Sequence, residues 1–342
     1  MRRLLTWILG AAVVLAVLLV VLVMGYQLQL HGNAIRPAHA VGVQQVSVPD
    51  PPGPPLAVAI WYPTDATPRF IQAGLTAQWA APNGPIEGHG LPLVVISHGN
   101  GGGPLSHADT AMALASAGFV VAAPMHTGDN YDDQSEVGGV QWLTDRPKHI
   151  STTIDYMLSA WAGHGVIDPA RVGIFGFSAG GYTALTLIGG QPDLKQIAIH
   201  CAQQPEFVCR LWNPGGQSLP IPANFYKDAR IKAAVIAAPG FGFAFTPDSL
   251  AKVRAPVQLW DGSADTNVPL ATNTNLVAKE LGPMTDVHIE PGAGHMAFLA
   301  PCGPIGPPQL CWDGLGFNRK AFHQRFNAAV VQFFQERLKA GP

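Results

Sequence analysis

The segment Gly176-Phe177-Ser178-Ala179-Gly180 sets a serine between small residues at the end of the apolar run Val172–Phe175. Gly181 and Ala184 follow at helical spacing, so the serine falls on a turn between a strand and a helix. A sharp nucleophile elbow needs that order, because strand and helix close on each other only where the flanking side chains are absent. The plain alternative is a glycine-rich turn without chemistry; the context, not the five-residue pattern, singles out Ser178. A serine hydroxyl attacks only when a base takes its proton and an acid orients that base. On such an elbow the three follow the chain order serine, Asp or Glu, histidine.

Two aspartates compete for the acid, in Asp261-Gly262-Ser263-Ala264-Asp265 after the run Val257–Trp260. Asp261 stands at the strand's tip, where a carboxylate commonly serves turn geometry. Asp265 lies deeper in the loop, ahead of a helix start at Pro269, and is the expected acid. His295, in Pro291-Gly292-Ala293-Gly294-His295, is the expected base, since the glycines of its loop let an imidazole swing back over the sheet. Of the other histidines beyond Asp265, His288 falls inside a strand and His323 on a closing helix with an expected solvated face. The charge developing on the attacked oxygen needs backbone donors. The stretch Ser97-His98-Gly99-Asn100-Gly101-Gly102-Gly103 can aim one, expected at Asn100 with Gly101 as second choice, and Ala179 supplies the other. No nucleotide-binding glycine pattern is present, and His98 is expected to hold the loop's shape.

These residues require a frame. Strand-like runs at Leu56–Tyr62, Leu93–Ser97, Phe119–Ala123, Val172–Phe177, Ala233–Ala238, Val257–Trp260 and Val287–Glu290 alternate with helical segments. The helices are expected over Ser106–Ala117, Ile150–Trp161, Ala179–Ile188 and Asn318–Leu338. That alternation predicts an α/β fold with a mostly parallel sheet flanked by helices. Residues 191–230 break the rhythm and form a candidate lid over the serine, with Phe207, Trp212, Phe225 and Tyr226 as its apolar surface. A surface excursion packed only for stability is the competing reading.

Net charge is −2 with no long basic run, which disfavours a nucleic-acid partner. Asp129, Asp132, Asp133 and Glu136 are read as a solvated acidic loop rather than a calcium site. Arg2 and Arg3 precede the uncharged run Leu4–Met24, which as a helix spans ~31 Å, the thickness of a bilayer's hydrocarbon core. A cleavable signal has a shorter apolar region, and the nearest small-residue site, Ala38-His39-Ala40, lies far downstream. Residues 1–25 are therefore expected to be an uncleaved transmembrane anchor, 26–55 a linker and 56–340 a catalytic domain outside the cytoplasm. Secretion after cleavage is the alternative. Sequence proximity pairs Cys201 with Cys209 and Cys302 with Cys311, as an oxidising compartment permits.

Trp61-Tyr62-Pro63, Ser97-His98-Gly99, the Ser178 elbow, Gly262-x-x-Asp265-x-x-Val268-Pro269 and Gly294-His295 together resemble the α/β hydrolases. Within them the likeness is to the dienelactone-hydrolase-like and platelet-activating-factor-acetylhydrolase-like enzymes, over roughly residues 55–335. Arg146-Pro147 also looks like that group. The resemblance implies Ser178, Asp265 and His295 as catalytic residues, Asn100 and Ala179 as oxyanion donors, and hydrolysis of a small-molecule or lipid ester without metal or cofactor. Two features depart from it. Such acetylhydrolases tend to carry the acid where this chain has Ala237-Ala238-Pro239-Gly240, and dienelactone hydrolases use cysteine where it has Ser178. A peptidase of the same fold and a catalytically silent binding protein are the alternatives.

Overall fold

The computed structural model describes residues 2–213, 225–304 and 306–339, the side chains of residues 2–6 excepted. A helix, α1 (Arg2–Asn33), precedes the sheet strands β1 (Val41–Val48) and β2 (Leu56–Pro63) and a hairpin of β3 (Arg69–Ala73) and β4 (Thr76–Pro82). Alternation then begins with β5 (Leu91–Ser97), α2 (Ala108–Ser116), β6 (Val120–Pro124), α3 (Val140–Ser159), β7 (Ile167–Phe177) and α4 (Ala179–Leu187). Short helices α5 (Leu194–Gln203) and α6 (Phe207–Leu211) lead to β8 (Ile231–Ala237), α7 (Pro247–Leu250), β9 (Val257–Gly262), α8 (Thr274–Leu281) and β10 (Asp286–Glu290). Helices α9 (Pro308–Cys311) and α10 (Arg319–Arg337) complete the order.

The ten strands among the described residues lie in one sheet, ordered β10-β9-β8-β7-β5-β6-β2-β1-β4-β3. From β10 to β6 every pairing is parallel, and β2 joins antiparallel to β6. Parallel strands bury both faces, which is why their sequences read as continuous apolar runs. In β5, Leu93 and Val95 enter the core layer shared with α3 and α4, while Val94 and Ile96 enter the one shared with α2 and α10. All the parallel strands point the same way, so the loops after β5, β7, β9 and β10 emerge on one rim. Ligands bind at that rim in open α/β sheets.

Three expectations change. Residues 26–55 are not a plain linker. Helix α1 continues to Asn33, and Leu30 and Ala34 are buried with Ala77 against Tyr26, Phe70 and Trp79. The chain then pairs as β1 along the whole of β2, from Val41↔Pro63 to Val48↔Leu56. Helix α3 begins at Val140 rather than Ile150, carrying Pro147 inside it. His323 is buried, not solvated. Both cysteine pairs form disulfides as expected, Cys201–Cys209 and Cys302–Cys311.

Candidate active site

Strand β7 delivers Ser178 at its tip, with φ 56° and ψ −117°, a backbone region that a residue bearing a Cβ rarely adopts. The turn closes so tightly that a Cβ on Gly176 would lie 2.1 Å from the carbonyl oxygen of Gly180, and one on Gly180 would lie 1.9 Å from that of Ser97. Any side chain at either position would force the elbow open.

His295 comes from the loop after β10, on a short 3-10 turn over His295–Phe298. Its Nε2 lies 2.9 Å from Ser178 Oγ, and its Nδ1 lies 2.6 Å from Asp265 Oδ2. The other carboxylate oxygen of Asp265 accepts the backbone N–H of Asn267 and Val268, both at 2.8 Å. This leaves one oxygen for the imidazole and fixes its direction. With Nδ1–H given to Asp265, Nε2 is free to accept the serine proton.

Asp261, the competing aspartate, is engaged elsewhere. Its carboxyl accepts the Gly262 N–H at 2.7 Å and the Thr274 hydroxyl at 2.5 Å. Burial and the adjacent Asp265 push its pKa up to about 8.

The loop after β5 faces the elbow. The Gly101 N–H, second choice as a donor, is committed to Asp129 Oδ1 at 2.8 Å. The N–H groups of Asn100 and Ala179 donate to no other group among the described residues. His98 holds the loop as expected: Nδ1 donates to the Gly99 carbonyl at 2.7 Å and Nε2 accepts the His126 N–H at 3.1 Å. Burial, with Arg146 nearby, lowers the pKa of His98 to about 3. Asp129 is fully buried, which corrects its place in the solvated acidic loop, whereas Asp132 and Asp133 are exposed as expected.

Sequence reasoning missed what supports His295 from behind. His323 Nε2 donates to the carbonyl of Ala297 at 2.7 Å, and its Nδ1 lies 2.5 Å from Asp109 Oδ2. The histidine on α10 thus ties α2 to the turn that carries His295. Only contacts across 214 residues reveal this, so no local signal could have marked it.

Ser178 and His295 open into a cleft of about 890 Å³ that runs beneath the glycine-rich loop toward β1 and β2. Its walls include Leu75, Leu105, Met125, Phe207, Leu299 and Leu310, and no Asp, Glu, Lys or Arg lines it among the described residues. Of the candidate lid's four apolar residues only Phe207 reaches it: Phe225 is buried, Trp212 packs edge-on to Phe241, and Tyr226 is exposed. Residues 214–224 of that segment lie outside the described residues. A larger hollow of about 1720 Å³, between the base of α1, α2 and α10, contains neither Ser178 nor His295.

Comparison with known proteins agrees with this architecture. The model of the Dienelactone hydrolase family matches residues 75–208. A ferulic acid esterase from Streptomyces cinnamoneus superposes with a TM-score of 0.63 at 20% identity, covering 90% of this chain and 93% of that one. The chain has the α/β-hydrolase fold. It is also similar to a puromycin hydrolase, with a TM-score of 0.52 at 15% identity over 86% of this chain and 39% of that one. The putative esterase NocK of Nocardia uniformis subsp. tsuyamanensis is 27% identical over 219 residues, 57% of this chain. The match spans 61% of that relative's length.

Proposed function

We propose that this hydrolase is a serine esterase acting on uncharged carboxylic esters, with Ser178 as nucleophile, His295 as general base and Asp265 as the acid that orients it. The observation that carries the reading is His295 bridging Ser178 Oγ and Asp265 Oδ2 at 2.9 and 2.6 Å. His295 takes the serine proton as Oγ attacks the ester carbonyl. The tetrahedral oxyanion accepts the N–H groups of Asn100 and Ala179. His295, now protonated, gives its proton to the departing alkoxide, leaving an acyl-serine and an alcohol. Water, deprotonated by the same histidine, then releases the acid and restores the serine.

The cleft favours esters over peptides. A peptidase that reads a free chain end needs an opposite charge for it, and the described lining residues supply none. An apolar wall with few polar groups suits an alkyl or aryl ester. We further infer one catalytic domain behind an N-terminal anchor: α1 is long and apolar enough to cross a membrane, and Arg2-Arg3 would stay cytoplasmic with the domain outside.

The test is turnover of nitrophenyl esters of rising acyl length, beside an aminoacyl amide, with fluorophosphonate labelling of the wild type and Ser178→Ala. Labelling and ester turnover are expected for the wild type, with a loss of ~10⁴-fold or more and an unchanged melting temperature in the variant. Retention of more than about a hundredth of the activity would sink the assignment. Preference for the amide would favour the peptidase.

A further inference from the structure

We propose that the buried pair Asp129–Arg146 is the positioning device of the oxyanion site, holding the backbone N–H groups of Asn100 and Ala179 in one geometry. The proposal rests on the serine-esterase reading and extends it to residues that never touch substrate.

Asp129 leaves the chain just after β6 and Arg146 lies on α3, so neither belongs to the loop or the elbow they brace. Four donors fill the two oxygens of Asp129. Oδ1 accepts the Asn100 side-chain amide and the Gly101 N–H, both at 2.8 Å. Oδ2 accepts the Trp142 indole N–H and one Arg146 nitrogen. The guanidinium uses its other edges on both halves of the site. Its NH2 donates to the His98 carbonyl and, at 3.4 Å, to Ser97 Oγ. Its Nε donates to Thr183 Oγ1 at 3.2 Å, and that hydroxyl donates to the Ala179 carbonyl at 3.0 Å. One ion pair thereby grips the His98–Gly99 peptide, the side chain of Asn100, the Asn100–Gly101 peptide and, through Thr183, the carbonyl of the residue following the nucleophile.

Stability alone is a weak reason to keep such a pair. Asp129 and Arg146 are 0% and 1% exposed, and apolar residues of similar volume commonly serve as well in a buried site. Apolar replacements cannot hold a glycine-rich loop, however. Residues Gly99 and Gly101–Gly103 have no side chains to pack, so the loop takes its shape from what its backbone bonds to. A planar fork with five N–H donors in fixed directions suits that task, and a lysine does not reproduce it. Donors aimed at an oxyanion act because they need no rearrangement as charge develops. Loosening them should raise the barrier and leave ground-state binding nearly intact.

The experiment compares Arg146→Lys, Asp129→Asn and the milder Thr183→Val with wild type on one nitrophenyl ester. It also measures inhibition by an alkyl boronic acid, whose serine adduct mimics the tetrahedral intermediate. Expected for Arg146→Lys and Asp129→Asn is a fall in kcat of roughly 10–100-fold, less than a lost donor costs, with KM within about twofold. Boronate affinity should fall in parallel with kcat. Thr183→Val, which keeps the ion pair but cuts its link to Ala179, should lose several-fold in kcat at an unchanged melting temperature. This keeps the proposal testable where the other variants fold poorly. Variants with wild-type kcat and boronate affinity would overturn it, as would losses that track only the folded fraction or appear only in KM. A wild type without ester turnover would remove the esterase reading, and this proposal with it.

Discussion

Two carboxyls crowd the end of β9 and the loop after it, and the way each is satisfied separates their roles. Asp265 gives one oxygen to two backbone N–H groups and the other to His295, whereas Asp261 meets a hydroxyl and its neighbour's N–H. Held near a pKa of about 8 by burial and by Asp265, Asp261 keeps its proton at neutral pH, and an amide is its close mimic. Asp261→Asn should therefore keep activity within about tenfold at pH 7, while Asp265→Asn should lose ~10⁴-fold by removing the charge that steadies the imidazolium. Assay of both variants decides this, and a reversed ranking would make Asp261 the acid. The same carboxyl predicts a pH dependence of stability. Unfolded, it releases its proton near its ordinary 3.8; folded, near 8. Between those values the native state binds more protons, so this group's contribution to stability falls as pH rises and levels off above about 8. Asp261→Asn removes that slope. Its melting temperature relative to wild type should climb between pH 5 and pH 8; a constant difference would contradict the assignment. Sequence reading singled out Ser178, Asp265 and His295, which the fold brings into contact, because chain order and glycine context are legible in the sequence. It could not reach the contacts of Asp129, Arg146 or His323, whose partners lie far off in the chain.

At the scale of elements, the strands from β10 to β2 announced themselves as apolar runs, and those beyond β2 stayed hidden. β1 alternates only as far as Gln44 and Gln45, and Gln44 is turned to accept the Trp161 indole N–H at 3.1 Å. The β3–β4 hairpin mixes charge with small residues, and its turn is only Gly74-Leu75. Pro147 reads as a helix breaker, which concealed the first half of α3 and with it the helical setting of Arg146. Helices α5 and α6 are joined by Cys201–Cys209, and Glu206 between them accepts His200 Nε2 and the Asn273 amide, both at 2.9 Å. That anchoring divides the aromatic residues of the segment by role. Phe207→Ala should shift acyl-length preference several-fold while leaving the melting temperature nearly unchanged, since Phe207 lines the cleft. Trp212→Ala should instead cost ~2 kcal/mol of stability and lower turnover of short and long esters alike, because its ring packs on Phe241. An ester panel and thermal melts on both variants check this; an unaltered profile in Phe207→Ala would return the segment to a purely structural part.

For the whole molecule, the base of α1 bears on whether the N-terminus is removed. Cutting after Ala40 would strip away buried Leu30 and Ala34, together with Ile35, which accepts the Trp79 N–H at 2.9 Å and donates to Ala77 at 2.7 Å. The full-length chain is therefore expected in the membrane fraction, released by detergent and not by salt, with an intact mass that includes α1. Soluble protein beginning near Val41 would overturn this. The docked base also sets how the catalytic domain meets a bilayer. A flexible link of 30 residues would let the domain wander ~30 Å from its root. A helix unbroken from Arg2 to Asn33, gripped by Phe70, Trp79 and Ala77, allows no such roaming. The stretch from Gly25 to Asn33 spans only ~13 Å at helical rise. The β4 hairpin that receives it also contributes Leu75 to the wall of the cleft. With α1 inserted, the serine would patrol a shallow layer of water at one standing height above the lipid. Esters that dwell in that layer would be met far more often than those in the bulk.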